Sequence, residues 1–280
     1  MDNPEARPLL HLSLCTGYGG LDLGLGAVLS HCRTVAYCER EAFAVANLLA
    51  KIEQGVLDPA PIWTNLKTFP WKELCGSVDI LSGGYPCQPF SKAGHRNGKE
   101  DPRHLWPWII EGIRIVWPHY CFFENVEGHI DRGLQDVIDD LEREGYVTAW
   151  GVFSAEEAGF PHQRRRVFIL AKLADSDRIR LPNRPFKVYP AETWINAQRQ
   201  SWASNPYPMG VRPFAPARPG ELQHPGEPPR AIEPCLGRDA DGAPGRMVES
   251  ERQARLQMLG NGVVPLVAAK AFWHLLNELN

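Results

Sequence analysis

The sequence predicts an α/β fold built around a mostly parallel β-sheet. Short apolar runs typical of buried strands alternate with longer stretches that have helical periodicity. A glycine-dense turn follows the first apolar run, and several polar or reactive residues come directly after later runs. In open parallel sheets, ligands bind at the carboxyl ends of the strands. The pattern therefore predicts a binding cleft at that edge of the sheet.

The elements alternate along most of the first 170 or so residues. The predicted strands are 9–14, 34–38, a strand end within 62–69, 78–82, 118–123, 146–153 and 167–171. The predicted helices are one that opens at the glycine turn, then 42–51, 105–116, 134–144 and 266–279. Apolar residues at 134, 137, 138 and 141 give the fourth helix one buried face. Alternating small and large apolar residues should bury the last helix against the first domain.

Composition excludes several classes of protein. The 280 residues are 44% hydrophobic and 22% charged with a net charge of −3, which is ordinary for a soluble globular protein. No apolar run approaches the roughly 20 residues of a membrane span, and the N-terminus lacks the pattern of a signal peptide. Seven cysteines without a C-x-x-C pair argue against a disulfide framework and a structural zinc site. We expect a cytoplasmic protein with no metal and no membrane association.

The glycine turn and a later carboxylate indicate a nucleotide site. Gly17, Gly19 and Gly20 follow the first predicted strand, where glycines let a ligand approach the backbone. Glu39 ends the second strand about 20 residues later, where Rossmann-type sheets place the carboxylate that binds ribose hydroxyls. The glycine spacing is not the full dinucleotide fingerprint, and Glu39 could instead be a solvated residue at a helix start.

Cys87 lies in a loop stiffened by Pro86 and Pro89, directly after the strand 78–82. A buried structural thiol is the usual role of a free cysteine. Glu124, however, ends the next predicted strand and should reach the same edge of the sheet. A thiol and a carboxylate beside a nucleotide site form a nucleophile and an acid/base pair.

A basic cluster, Arg164 to Arg166, enters the strand 167–171. Strand alternation predicts that Arg164 and Arg166 point to one side and Arg165 to the other. Most such clusters are solvated charge, but two arginines at the cleft would suit a phosphate or a polar base edge.

The composition changes after about residue 172. Residues 182–244 contain 13 of the 25 prolines and show almost no periodicity. Arginines there are interleaved with aromatic residues, a mixture that fits either contacts in a nucleic-acid groove or a poorly packed surface. The segment 173–256 is therefore predicted to be a small, loop-rich region.

Six blocks of the sequence resemble, in order, the motifs of the DNA (cytosine-5) methyltransferases, in particular the short bacterial or phage type. The blocks are Gly17–Gly20 with Glu39, Pro86–Ser91, Asp101 with Arg103, Glu124–Val126, His162 with Arg164 and Arg166, and Gly260–Pro265. The resemblance implies a Rossmann-like fold that uses S-adenosylmethionine. It assigns 1–172 and 257–280 to the catalytic domain and 173–256 to target recognition.

The resemblance also implies a reaction. A methyl group from S-adenosylmethionine would be transferred to carbon 5 of a flipped-out cytosine in a specific DNA sequence. Cys87 would attack carbon 6, Glu124 would hold ring nitrogen 3, Arg166 would bind the carbonyl oxygen, and Arg164 would steady the loop or the covalent intermediate. The implied cofactor-binding residues are Gly17, Tyr18, Gly19, Gly20, Leu21, Glu39, Asn65, Pro86, Asn261 and Val263.

The implied setting is a bacterial or phage-infected cytoplasm. Double-stranded DNA would be bound by a monomer, in restriction–modification or in protection of phage or host DNA. A cognate restriction endonuclease would be the partner in the first case.

The sequence departs from the family at some positions. Ser13 and Cys15 replace the usual aspartate and phenylalanine before the glycine turn, and His162 replaces a glutamine common in the family. Two alternatives remain open: the tRNA-methylating branch of the same family, whose own motif is not found, and a non-catalytic DNA-binding relative.

Overall fold

The computed structural model describes residues 8–29, 31–86, 105–160, 163–174 and 261–280. Within these ranges the strands are β1 (Leu9–Leu14), β2 (Cys32–Cys38), β3 (Ile62–Trp63), β4 (Ile80–Gly83), β5 (Tyr120–Val126), β6 (Tyr146–Ser154) and β7 (Arg165–Leu173). The helices are α1 (Gly20–Val28), α2 (Ala42–Glu53), α3 (Trp106–Val116), α4 (Leu134–Arg143) and α5 (Pro265–Glu278). Short 3₁₀ turns cover Leu66–Thr68, Trp71–Leu74, Glu127–His129 and Glu156–Ala158.

The seven strands form one sheet in the order β3-β2-β1-β4-β5-β7-β6. β1 to β5 run parallel to one another, and β7 runs antiparallel to both β5 and β6. The predicted α/β class with a mostly parallel sheet is confirmed. β2 lies on one side of β1 in the sheet, and β4 lies on the other side. Because the chain leaves β1 in one direction and later returns in the other, a crevice forms at the carboxyl ends of β1 and β4.

Helices cover both faces of the sheet because alternate strand residues face opposite sides. One apolar cluster joins Leu81 and Phe123 to α3 and α4. The cluster on the other face joins Phe122 and Phe168 to α1 and α5. A smaller cluster places α2 over Tyr37 of β2. No helix among the described residues has the length and apolarity to cross a membrane.

The last helix packs closely against the first. A Cβ at Gly24 of α1 would lie 2.7 Å from both the Ala268 Cβ and the Pro265 carbonyl oxygen, so only glycine fits between the two helices. On the sheet side of α5, the Phe272 ring meets Phe122 edge-on with centroids 5.2 Å apart. The predicted burial of the last helix on the first domain is therefore observed.

A polar network lies beneath this contact, inside the sheet. His11 Nδ1 is 2.9 Å from Thr34 Oγ1, and its Nε2 is 2.8 Å from Ser82 Oγ. The Ser13 hydroxyl donates to Asp22 at 3.0 Å. Burial lowers the pKa of His11 to about 3 and raises that of Asp22 to about 6. The serine, histidine and aspartate match a hydrolase triad in composition, but Ser82 is completely buried, so no substrate can reach it.

Element boundaries differ from the predicted ones mainly at strand ends. β7 begins two residues before the predicted 167–171 and ends two residues after it, because its pairing with β5 and β6 extends past the apolar run. β2 begins at Cys32, two residues before the predicted start. β3 is only Ile62–Trp63, at the edge of the sheet.

The close contact of α1 with α5 gives a stability prediction. Gly24→Ala should lower the free energy of unfolding by about 1–3 kcal/mol, because the new methyl group overpacks the contact. Gly26→Ala is the matched control, since a Cβ there meets nothing within 4 Å. It should raise stability by about 0.5–1 kcal/mol through better helix propensity. Urea denaturation of the two variants measures both effects, and equal changes would contradict this account of the contact.

Candidate functional site

A cleft of about 570 Å³ opens at the carboxyl ends of the parallel strands. Its volume lies in the range of small-molecule sites, roughly 300–1,000 Å³. Seven of the predicted site residues line it: Gly17, Glu39, Asn65, Pro86, Glu124, Arg166 and Asn261. Segments far apart in the chain therefore meet where the strand-end pattern predicts.

Other predicted residues lie behind the cleft wall and support it. Leu21 is buried in the apolar cluster between α1 and α5. A Cβ at Gly20 would lie 2.1 Å from the Val263 carbonyl oxygen, so this glycine allows the C-terminal loop to cross the start of α1. The Tyr18 hydroxyl donates to that same carbonyl. Gly19 is the N-cap of α1, in a left-handed conformation.

Glu39 is held in place by two backbone donors. One carboxylate oxygen accepts a hydrogen bond from the Gly17 N–H at 2.7 Å, and the other accepts from the Glu41 N–H at 2.8 Å. Gly17 has a φ of 58°, and a Cβ there would meet nothing within 4 Å, so its backbone conformation is what requires glycine. The carboxylate is only 8% exposed. Its remaining lone pairs can still accept hydrogen bonds from a ligand in the cleft.

Asn65 has a structural contact of its own. It is the N-cap of the 3₁₀ turn Leu66–Thr68, and its side-chain oxygen accepts a hydrogen bond from the Lys67 N–H at 3.1 Å. The amide N–H₂ and one lone pair of the oxygen remain for a ligand. The cap fixes the direction of this side chain at the rim of the cleft.

The apolar part of the cleft wall contains residues that the sequence reasoning did not select for the site. Phe43 and Leu66 line it, as do the thiols of Cys15 and Cys38. Burial raises the pKa of the Cys38 thiol to about 12 and that of Cys15 further. Both are therefore neutral near pH 7 and act as small apolar surfaces. In the sequence, the feature that indicates a site role for Phe43 is its position in the first turn of the helix after Glu39.

Glu124 and Arg166 form an ion pair inside the cleft. Arg166 Nε lies 3.0 Å from Glu124 Oε1, and the two side chains are 18% and 7% exposed. Apart from this pairing with Arg166, Oε1 has no hydrogen-bond partner among the described residues. A Cβ at Gly84 would lie 3.4 Å from Glu124 Oε2, so glycine leaves that side of the carboxylate open.

The surroundings of Glu124 set its protonation. Burial raises its pKa from 4.5 to about 7, and the positive charges of Arg166 and Arg164 limit the rise. A carboxyl group with a pKa near neutrality can both hold and release a proton at physiological pH. Glu124 thus has the properties of a general acid/base.

Asn125 positions the loop that follows β4, a role that the sequence reasoning did not assign. Its side-chain N–H₂ donates to the Tyr85 carbonyl oxygen at 3.1 Å, and its side-chain oxygen accepts from the Val126 N–H. The Tyr85 hydroxyl lies 3.0 Å from His129 Nε2. These buried contacts fix the backbone up to Pro86.

The three arginines take different positions. Arg166 lines the cleft, while Arg165 is 55% exposed and pairs with Glu127 at 3.0 Å. Arg164 precedes β7, has a φ of 28° and donates to the Gly262 carbonyl oxygen. Strand alternation therefore does not apply to Arg164, although its charge still acts on Glu124.

Some predicted residues lie outside the described part of the chain. They are Cys87, Asp101, Arg103, His162 and the region 175–260. Among the residues that the structure does describe, no group of three or more potential ligands could hold a metal ion.

Sequence comparison matches residues 10–206 to the profile of the family described as C-5 cytosine-specific DNA methylase. The Type II methyltransferase M.NaeI of Lentzea aerocolonigenes is 33% identical over 165 residues, which are 57% of this chain and 39% of that protein. The Type II methyltransferase M.NgoMIV of Neisseria gonorrhoeae is 33% identical over 166 residues, 57% of this chain and 50% of that protein. The matched part thus spans half or less of the length of these relatives.

Two solved structures share the fold. The methyltransferase EhMeth of Entamoeba histolytica superposes with a TM-score of 0.58 at 16% identity, covering 98% of this chain and all of that one. A mutant of DNMT2 from Spodoptera frugiperda gives a TM-score of 0.50 at 21% identity, covering 66% of this chain and 59% of that one. With these neighbours, the Rossmann-like methyltransferase fold is confirmed.

The raised pKa of Glu124 predicts a pH-dependent effect of its removal. Its stabilising contribution is fully present below about pH 4.5 and is lost as pH rises through about 7. Glu124→Gln carries no charge at any pH, so its stability relative to wild type should increase by about 2 kcal/mol between about pH 5 and pH 8.

Urea denaturation at several pH values measures this difference. Glu111→Gln is the control for loss of a glutamate charge, since Glu111 is 56% exposed. A Glu124→Gln difference that stays constant over the same range would show that the carboxyl titrates normally.

Proposed function

The chain belongs to the C-5 cytosine-specific DNA methylase family, and from this premise we propose that it methylates carbon 5 of cytosine in a specific sequence of double-stranded DNA. The observation that carries the proposal is the buried ion pair of Glu124 with Arg166 at a cleft that Glu39 and Gly17 also line. Glu124 can hold a proton, and Glu39 with Gly17 forms a site suited to a nucleotide. Both features in one cleft suit methyl transfer to a base.

The cofactor of this reaction is S-adenosylmethionine, and the cleft fits it in size and chemistry. The Glu39 carboxylate would accept hydrogen bonds from the ribose hydroxyls. Phe43 and Leu66 offer apolar surface to the purine, and the free groups of Asn65 are suited to its amino edge. Asn261 would close the pocket from the C-terminal side. When bound, the cofactor supplies a methyl group on a positively charged sulfur.

Residues of the chain would activate carbon 5 of the cytosine base for methyl transfer. Carbon 5 of cytosine is a weak nucleophile, so the thiolate of Cys87 would first add to carbon 6. Pro86, which precedes Cys87, lines the cleft. Glu124 would hold a proton at ring nitrogen 3 as the addition places negative charge on the ring. Arg166 would bind the carbonyl oxygen of the base.

The remaining steps restore the base and the thiol. The addition makes carbon 5 an enamine carbon, which accepts the methyl group. Loss of the carbon 5 proton then expels the Cys87 thiolate and leaves 5-methylcytosine. The base must leave the duplex for this chemistry, at a cost of a few kcal/mol that contacts in the cleft offset.

The same proposal assigns different functions to different segments of the chain. Residues 1–172 and 257–280 would form the catalytic domain, and 173–256 would recognise the target sequence on DNA bound by a monomer. The names of the bacterial Type II relatives support a role in restriction–modification beside a cognate endonuclease.

Methyl transfer tests the proposed function directly. The wild-type protein should transfer tritiated methyl groups from S-adenosylmethionine to duplex DNA, and bisulfite sequencing should locate them at carbon 5 of cytosine. Cys87→Ala should lose transfer by at least about 10³-fold, because no other step activates carbon 5. Cys75→Ala is the control, since Cys75 is an exposed thiol that does not line the cleft.

The outcomes separate the alternatives. Transfer to tRNA but not to DNA would place the chain in the tRNA-methylating branch. DNA binding without transfer, and without a covalent adduct on 5-fluorocytosine DNA, would indicate a non-catalytic relative. Full activity of Cys87→Ala would refute the mechanism.

Glu39 provides a separate test of the cofactor site. Glu39→Gln loses the negative charge and one acceptor, so its affinity for S-adenosylhomocysteine should fall by about tenfold or more. Glu53→Gln, at the exposed end of α2, is the matched control. Isothermal titration calorimetry without DNA measures both, and an unchanged affinity of Glu39→Gln would remove Glu39 from the cofactor site.

A further inference from the structure

The loop 261–264 is held across the cleft wall by side chains from two distant parts of the chain. The Tyr18 hydroxyl, from the glycine turn, donates to the Val263 carbonyl oxygen. The Arg164 guanidinium, from the segment before β7, donates to the Gly262 carbonyl oxygen. Two consecutive carbonyl groups of the loop are therefore each fixed by a side chain from another part of the chain.

The fit between the loop and Tyr18 is tight. A Cβ at Gly262 would lie 1.8 Å from Tyr18 Cε1, so the aromatic ring packs directly on the backbone of this residue. Lys51 holds Tyr18 in turn, because its Nζ donates to the Tyr18 carbonyl oxygen and lies 4.7 Å from the ring centroid. With Tyr18 fixed in this way, the loop depends on Arg164 for its other anchor.

The backbone directs Arg164 toward this loop. Its φ of 28° lies in the left-handed region, which residues with a side chain rarely adopt. The turn before β7 takes Arg164 out of the strand, so it is not bound by the alternation that directs Arg165 and Arg166. Arg166 pairs with Glu124 in the cleft, whereas Arg164 reaches the carbonyl of Gly262, next to the cleft-lining Asn261.

Arg164 thus connects the two halves of the site. Its hydrogen bond fixes the loop on the cofactor side, and its positive charge acts on Glu124 on the other side. We propose that Arg164 is a positioning residue that holds Asn261 and Gly262 in the cofactor-binding arrangement. This inference rests on the proposed function, and it gives Arg164 a role in cofactor binding in place of steadying the covalent intermediate.

Three variants of the 280-residue chain test the inference. Arg164→Met keeps much of the side-chain length but has no donor or charge. Arg164→Lys restores the charge and a single donor without the planar fork. Arg165→Met is the matched control, since Arg165 is exposed and pairs with Glu127 away from the cleft.

Hydrogen exchange of the ligand-free proteins tests the anchor without any cofactor. Peptides that cover residues 261–266 should exchange several-fold faster in Arg164→Met than in wild type, and at the wild-type rate in Arg165→Met. Unchanged exchange in Arg164→Met would show that Arg164 does not hold the loop, and the inference would be wrong.

Binding and kinetics test the role of Arg164 in the cofactor site. Arg164→Met should weaken S-adenosylhomocysteine binding by about tenfold and raise the KM for S-adenosylmethionine more than it raises the KM for DNA, with partial recovery in Arg164→Lys. Normal cofactor affinity with loss of the 5-fluorocytosine adduct would instead assign Arg164 to the base and refute the inference. A wild-type protein that binds no S-adenosylhomocysteine would refute the proposed function, and the exchange experiment would still decide whether Arg164 anchors the loop.

Discussion

The register between β5 and β7 is the constraint on which the site depends. Glu124 lies opposite Phe168 and Val126 lies opposite Arg166, so Glu124 and Arg166 are diagonal neighbours on the same face. A long arginine side chain spans that diagonal. A buried carboxylate needs such a nearby cation, because burial alone strongly disfavours its charge. A slip of one residue would turn Arg166 to the opposite face and leave Glu124 without it.

Much of the fold and part of the site follow from the sequence alone. Apolar runs mark every main strand, and parallel strands bring their carboxyl ends to one edge, which is why Glu39 and Glu124 meet at one cleft although 85 residues separate them. Prediction of side-chain direction fails where the strand periodicity stops. Strand alternation placed Arg164 beside Arg166, but β7 begins only at Arg165, and the left-handed backbone of Arg164 leaves no mark in the sequence.

Contacts between distant segments had no sequence signal. Lys51 looks like an ordinary basic residue in the last turn of α2, yet it donates to the backbone of Tyr18. Asn125 follows the buried Glu124 and fixes the loop after β4. The buried network of His11 and Asp22 is likewise invisible to hydrophobic patterning, since the network places polar residues inside the sheet. Such roles depend on three-dimensional neighbours, which neither periodicity nor residue type specifies.

The contact between Tyr18 and Val263 joins residues 245 positions apart. A ribosome adds about 5–20 residues per second, so roughly 10 to 50 s pass between the synthesis of the two partners. Until α5 is synthesised, the apolar face of α1 lacks the partner against which it packs in the folded chain, and exposed apolar surface of this kind is prone to aggregation. Under the proposed function, the cofactor side of the cleft would be complete only after Val263 has been synthesised.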